Sequence, residues 1–138
     1  MDSPLFDMKR VVITGLGLVT ALGNDVPTCW ANLIAGKSGA GAITHFDSSK
    51  FKTQFACEVK DLDVSNLFDP KELRRYDRYI HLAVKSAEEA INNAGLHITQ
   101  ENPLRCGVIY GSGMGGVKTL DTNIGEFGAG DGTPRYSP

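Results

Sequence analysis

Residues 105–116 read Arg105-Cys106-Gly107-Val108-Ile109-Tyr110-Gly111-Ser112-Gly113-Met114-Gly115-Gly116, a short apolar run that breaks into a glycine-rich corner. Cys106, Val108, Ile109 and Tyr110 are too few for an ordinary helix. They are rich in β-branched and aromatic side chains, so the run predicts a buried strand. Gly111, Gly113, Gly115 and Gly116 then permit a sharp turn, or a close approach where a Cβ would clash. Val117, Leu120, Ile124 and Phe127 recur at helical spacing directly afterwards. The stretch predicts strand, tight turn, helix.

The same order is predicted upstream. Val11-Val12-Ile13-Thr14 is a β-branched run of the kind that forms a central strand covered on both faces, and it empties through Gly15-Leu16-Gly17 into an irregular loop. Asp25 and Pro27 open a helix whose apolar face is Val26, Trp30, Leu33 and Ile34, and Gly36 closes it. Residues 37–49 read as loop, and Phe55, Cys57 and Val59 then alternate with polar neighbours as in a half-exposed strand. The strongest helix start is Phe68-Asp69-Pro70-Lys71-Glu72-Leu73. Asp69 can cap it, Pro70 suits the first helical position, Glu72 completes a capping box and Phe68 can staple onto Leu73. From there Ile80, Val84, Ala87, Ile91 and Ala94 predict one helix running to Gly95, and small Ala83, Ala87 and Ala90 suit close packing on another helix. Residues 96–103 form a polar connector, and after Phe127 the chain reads as loop to Ser137-Pro138. Strand and helix alternating three times predicts an α/β sheet with helices packed on it.

At 138 residues, with 41% hydrophobic and 22% charged side chains, the chain has material for one domain with one core. A net charge of −2 and a pI near 5.9 give no reason to expect nucleic acid or an anionic membrane as partner. Cys29, Cys57 and Cys106 are unevenly spaced, form no CxxC and lack clustered histidines, so they read as reduced, buried thiols rather than metal ligands. No run of eighteen apolar residues and no secretory signal appears. Residues 1–8 read as a disordered leader before a domain spanning 9–138, and a soluble cytoplasmic protein is the expectation.

Two patterns carry chemistry. Gly111, Gly113 and Gly116 satisfy GxGxxG, the dinucleotide fingerprint. That use requires a carboxylate at the end of the next strand, and Asp131, at the right spacing, sits in Gly130-Asp131-Gly132-Thr133-Pro134, a loop. A dinucleotide-binding oxidoreductase domain is therefore only an alternative reading. Second, Lys71, Arg74, Arg75 and Arg78 fall at i, i+3, i+4 and i+7 of the predicted helix, one cationic stripe on an acidic chain. Either it is a solvated face paired with Glu72 and Asp77, or it is a dock for an acidic partner. His45, beside Phe46, reads as structural.

Taken jointly, Arg10-Val11-Val12-Ile13-Thr14-Gly15-Leu16-Gly17 with Gly23, then Trp30, Leu33, Gly36, Ser38-Gly39, His45-Phe46-Asp47 and Gly111-Ser112-Gly113-Met114-Gly115-Gly116, resemble the start of a β-ketoacyl-acyl-carrier-protein synthase of the elongating type II. The resemblance runs from about residue 9 to 138 and would cover the first third or so of such an enzyme. It implies the amino-terminal part of a thiolase-like, layered αβαβα fold with a mixed sheet flanked by helices, working as a homodimer without cofactor or metal. The reaction implied is a decarboxylating condensation of an acyl thioester with malonyl-acyl-carrier protein in fatty acid elongation. A polyketide-type ketosynthase or chain-length-factor subunit is the related alternative. The nucleophilic cysteine and two catalytic histidines are expected beyond Pro138, which leaves Cys29, Cys57, Cys106, His45, His81 and His97 without a catalytic role and this chain alone inactive. By the same resemblance Lys71, Arg74 and Arg75, with Arg78 as an addition, help dock acyl carrier protein. Met114, with Gly113, matches a position lining and gating the acyl pocket, where an unbranched thioether can fill or vacate a channel; plain core packing is its alternative.

Overall fold

The computed structural model describes residues 10–97 and 103–133. The predicted leader, most of the connector after Leu96 and the final Ser137-Pro138 loop lie outside them.

Local signals set the helices. Helix α1 spans Val26–Ile34; the Asp25 carboxylate accepts from the Thr28 N–H, and proline occupies the first turn. Gly36, at φ +66, ends the segment in the left-handed region. Strands β1 (Gly41–Ala42) and β2 (Phe55–Ala56) pair antiparallel, Gly41 opposite Ala56 and Ala42 opposite Phe55. The residues between them carry an edge-to-face contact of Phe46 on Phe51, centroids 5.6 Å apart. The predicted 37–49 loop thus contains a strand, and the alternation over 54–60 yields only two paired residues.

The helix predicted from Pro70 to Gly95 is two helices. Helix α2 spans Pro70–Arg75 and has the full capping box: Asp69 accepts from the N–H groups of Lys71 and Glu72, and Glu72 accepts from the Asp69 N–H. At Tyr76 the backbone turns extended (ψ 137), Asp77 stays extended, and α3 begins, spanning Arg78–Ala94 and ending on left-handed Gly95. Phe68 sets its ring against Tyr76 and His81, at 5.9 and 5.0 Å, so the staple reaches past Leu73 to the start of α3. A 3-10 turn (Pro103–Arg105) and helix α4 (Val117–Ala129) follow.

The small face of α3 receives a backbone rather than another helix. A Cβ at Gly15 would overlap the Ala90 carbonyl oxygen, and one at Gly17 would overlap that of Ser86. The segment through 15–18 therefore lies directly on α3, fastened where Leu16 N–H donates to Asn93 Oδ1 (3.1 Å) and Leu18 N–H to Glu89 Oε2 (2.9 Å). The other Glu89 oxygen accepts from Val26 N–H at 2.7 Å, so one carboxylate joins this segment, α1 and α3.

Neither 11–14 nor 106–110 is a strand, which corrects the sequence reading. Val11 is 91% exposed and Ile109 fully so, because an extended run becomes a strand only when a neighbour pairs its N–H and C=O groups. Among the described residues the buried hydrophobic side chains are Cys29 and Val64, while Trp30, Leu33, Ile34, Leu120 and Ile124 stand more than half exposed. The layer that would cover these faces is not supplied by the described residues.

Candidate functional site

The break at Tyr76 decides where the cations go. It puts Arg74 and Arg75 in the last turn of α2, where the helix dipole favours positive charge, and Arg78 in the first turn of α3. The single stripe of Lys71, Arg74, Arg75 and Arg78 is thereby split between two helices. Arg78 folds back instead, its Nη2 donating to the Val59 carbonyl at 2.6 Å.

Helix α4 rises beside this break. Thr119 Oγ1 donates to Asp77 Oδ1 at 2.8 Å, and Gly115 lies so close to Tyr79 that a Cβ there would come within 2.9 Å of the ring. Between α2, the start of α3 and α4 opens a cavity of 620 Å³ with Arg74, Arg75, Arg78 and Lys118 on its walls, together with Asp77 and His81. His81 Nε2 is buried there with no hydrogen-bond partner. Lys71, a turn earlier on α2, lies outside the lining. Lys118 was not singled out from sequence. Its signal is a cation in the first turn after the glycine corner, but only the placement of α4 beside the Tyr76 break brings it to the same cavity as Arg74.

The glycine corner is open on one side. A Cβ would meet nothing within 4 Å at Gly111 or Gly113, and Met114 is 76% exposed. Gly116, at φ +66, turns the chain into α4. No strand precedes the corner, and Asp131 accepts from Thr133 N–H at 2.9 Å in the turn after α4, which holds its carboxyl below the ordinary carboxylate range. The strand-borne carboxylate of a dinucleotide fold is therefore absent from this position.

The cysteines are dispersed and free. Cys29 is buried in α1; its thiol donates to the Gly23 carbonyl at 3.1 Å and lies 3.1 Å from Thr20 Oγ1. Cys57 is exposed and Cys106 half-buried, which corrects the reading of three buried thiols. His45 Nε2 stands 3.9 Å from Glu58, whose carboxyl is held below its usual range by Thr44, through hydroxyl and N–H. That arrangement ties the residues flanking the small sheet. Among the described residues no group of three or more His, Cys, Asp or Glu side chains could hold a metal ion, and no helix is long and apolar enough to cross a membrane.

The family described as Beta-ketoacyl synthase, N-terminal domain, matches residues 8–134. Among curated relatives, 3-oxoacyl-[acyl-carrier-protein] synthase 2 of Coxiella burnetii is 46% identical over 117 residues, 85% of this chain. The Synechocystis protein of the same name is 44% identical over 115 residues, 83% of this chain. The chain spans 28% of the length of either relative. Among solved structures, the ishigamide ketosynthase/chain length factor superposes with a TM-score of 0.56 at 37% identity, covering 62% of this chain and 21% of that one.

Proposed function

The chain belongs to the β-ketoacyl synthase family through that family's N-terminal domain, and from that premise we propose that it is part of a condensing enzyme that elongates acyl chains carried on acyl carrier protein. In the reaction this reading assigns, an acyl group sits as a thioester on a cysteine. Malonyl-carrier protein loses CO2, and the electron pair of the broken C–C bond attacks the acyl carbonyl. A new C–C bond forms and the cysteine thiolate leaves. The nucleophile and the two assisting histidines belong, on this reading, to sequence beyond Pro138, so residues 1–138 alone carry out no condensation.

Two parts of the work are assigned to residues present here. Arg74 and Arg75, joined by Lys71 and Arg78, dock the acidic carrier; the observation that carries this is the clustering of three arginines and Lys118 about one cavity on a chain of net charge −2. Met114, beside Gly113 at the mouth of the corner, lines the acyl channel once the rest of the enzyme covers it. Working as a homodimer in the cytoplasm completes the proposal.

Charge reversal tests it. In the full-length synthase, Arg74→Glu with Arg75→Glu should raise KM for carrier-bound substrate tenfold or more, more steeply at low salt, while leaving small soluble thioesters unaffected. Equal kinetics on carrier-bound substrate would remove the docking role. The likeness to a ketosynthase/chain length factor supports a second reading, a chain-length-factor subunit. The residue at the nucleophile position of the longer chain separates the two, since only the condensing enzyme needs a cysteine there.

A further inference from the structure

Asp77 occupies the N-cap of α3, with extended backbone at φ −67 and ψ 154, yet its side chain makes no capping hydrogen bond. Aspartate at such a position ordinarily accepts from the N–H groups of the first turn, as Asp25 and Asp69 do in this chain. The Asp77 carboxylate is turned to α4 instead. Oδ1 accepts from Thr119 Oγ1 at 2.8 Å, and Oδ2 stands 3.0 Å from where a Cβ on Gly116 would lie. A second contact, Gly115 on the Tyr79 ring, comes from the same turn of α3. A Cβ added at the preceding Gly111 or Gly113 would meet nothing within 4 Å, whereas at Gly115 and Gly116 it would meet Tyr79 and Asp77, so the contacts of the corner that carries Met114 lie on its side toward the start of α3.

We infer that Asp77, through Thr119, is a positioning residue that sets where Met114 stands and so sets the acyl-length preference of the synthase. The local cap is given up for a tertiary bond, which makes sense if holding the corner matters more than the first turn of α3. The same carboxylate lies on the cavity walled by Arg74 and Arg75, three and two residues before it, so displacement of that break by a docked carrier reaches the Met114 corner through one hydrogen bond. This inference rests on the assignment of Met114 to the acyl channel.

The test uses the full-length synthase and a series of acyl-carrier substrates, reading the ratio of kcat/KM between the shortest and longest chains accepted, with Tm measured in parallel. Thr119→Val, which keeps shape and removes the donor, and Asp77→Ala should each change that ratio at least threefold. Asp77→Asn, which keeps an acceptor oxygen, should restore it, and the Asp77→Ala/Thr119→Val double variant should change it no more than either single one. Met114→Ala is the control. If Met114→Ala shifts the ratio while Thr119→Val and Asp77→Ala lower only Tm, the positioning role is overturned and the channel assignment stands. If Met114→Ala leaves the ratio untouched, both are overturned.

Discussion

One methyl group at Gly17 has nowhere to go, because its Cβ would overlap the Ser86 carbonyl of α3, and backbone cannot step aside as a side chain can. Gly17→Ala should therefore destabilise the protein by about 1–3 kcal/mol, the usual range for overpacking, seen as a lowered midpoint in denaturant titration of the full-length synthase. Gly125, inside α4, meets nothing within 4 Å, so Gly125→Ala should stabilise by about 0.5–1 kcal/mol through helix propensity alone; a loss at Gly125 would show that α4 packs differently. Asp25 carries a pH dependence. The Thr28 N–H and hydroxyl hold its carboxyl below the ordinary value of 3.8, so the folded protein holds the proton less tightly than the unfolded chain. Its stabilising effect is present above that value and drains away as pH falls through the lower folded one. Asp25→Ala should accordingly cost about 1 kcal/mol at pH 7, typical of a lost cap, and much less near pH 2. A cost independent of pH would assign the effect to something other than the charged cap.

The helices were legible because their signals are local. Asp25 with Pro27, Asp69 with Pro70 and Glu72, and Gly95 each act within one turn, and the structure places α1, α2 and the end of α3 as they direct. The break at Tyr76 leaves no mark on the apolar spacing, since Leu73 in α2 stays in helical phase with Ile80, Val84 and Ala87 in α3. The strands were illegible for a different reason. Val11-Val12-Ile13-Thr14 and the run ending at Tyr110 have strand composition, but pairing is a property of the neighbour, and the described residues provide none. The cations assigned to docking were legible as residues and not as a shared cavity, because Lys118 comes from forty residues beyond Arg78. A six-residue helix is far too short to stand alone, so α2 depends on its capping box. Asp69→Ala should fray it and weaken carrier binding severalfold in isothermal titration, while leaving the helix content of α3 intact. Undiminished carrier affinity would mean that Arg74 and Arg75 do not dock from α2.

At the scale of the molecule, many large apolar side chains among the described residues stand exposed. Val11, Ile13, Leu104, Val108 and Ile109 are nearly uncovered, and an apolar cavity of 660 Å³ opens between Leu16, Leu18, Val26, Trp30 and Cys57. Surfaces of this kind associate in water. Residues 1–138 expressed alone should therefore elute as oligomers or aggregates and bind a hydrophobic dye; a monomer with a cooperative melt would contradict that expectation. The chain spans 28% of the length of the Coxiella burnetii and Synechocystis relatives, and the proposed function assigns the reacting groups to sequence outside residues 1–138. The most direct measurement mixes acyl-carrier and malonyl-carrier substrates with the full-length synthase or with residues 1–138, and follows 3-oxoacyl-carrier product by mass spectrometry. The account predicts product two carbons longer, with release of CO2, from the full-length chain and none from residues 1–138. No product from the full-length chain, or product from residues 1–138 alone, would contradict it.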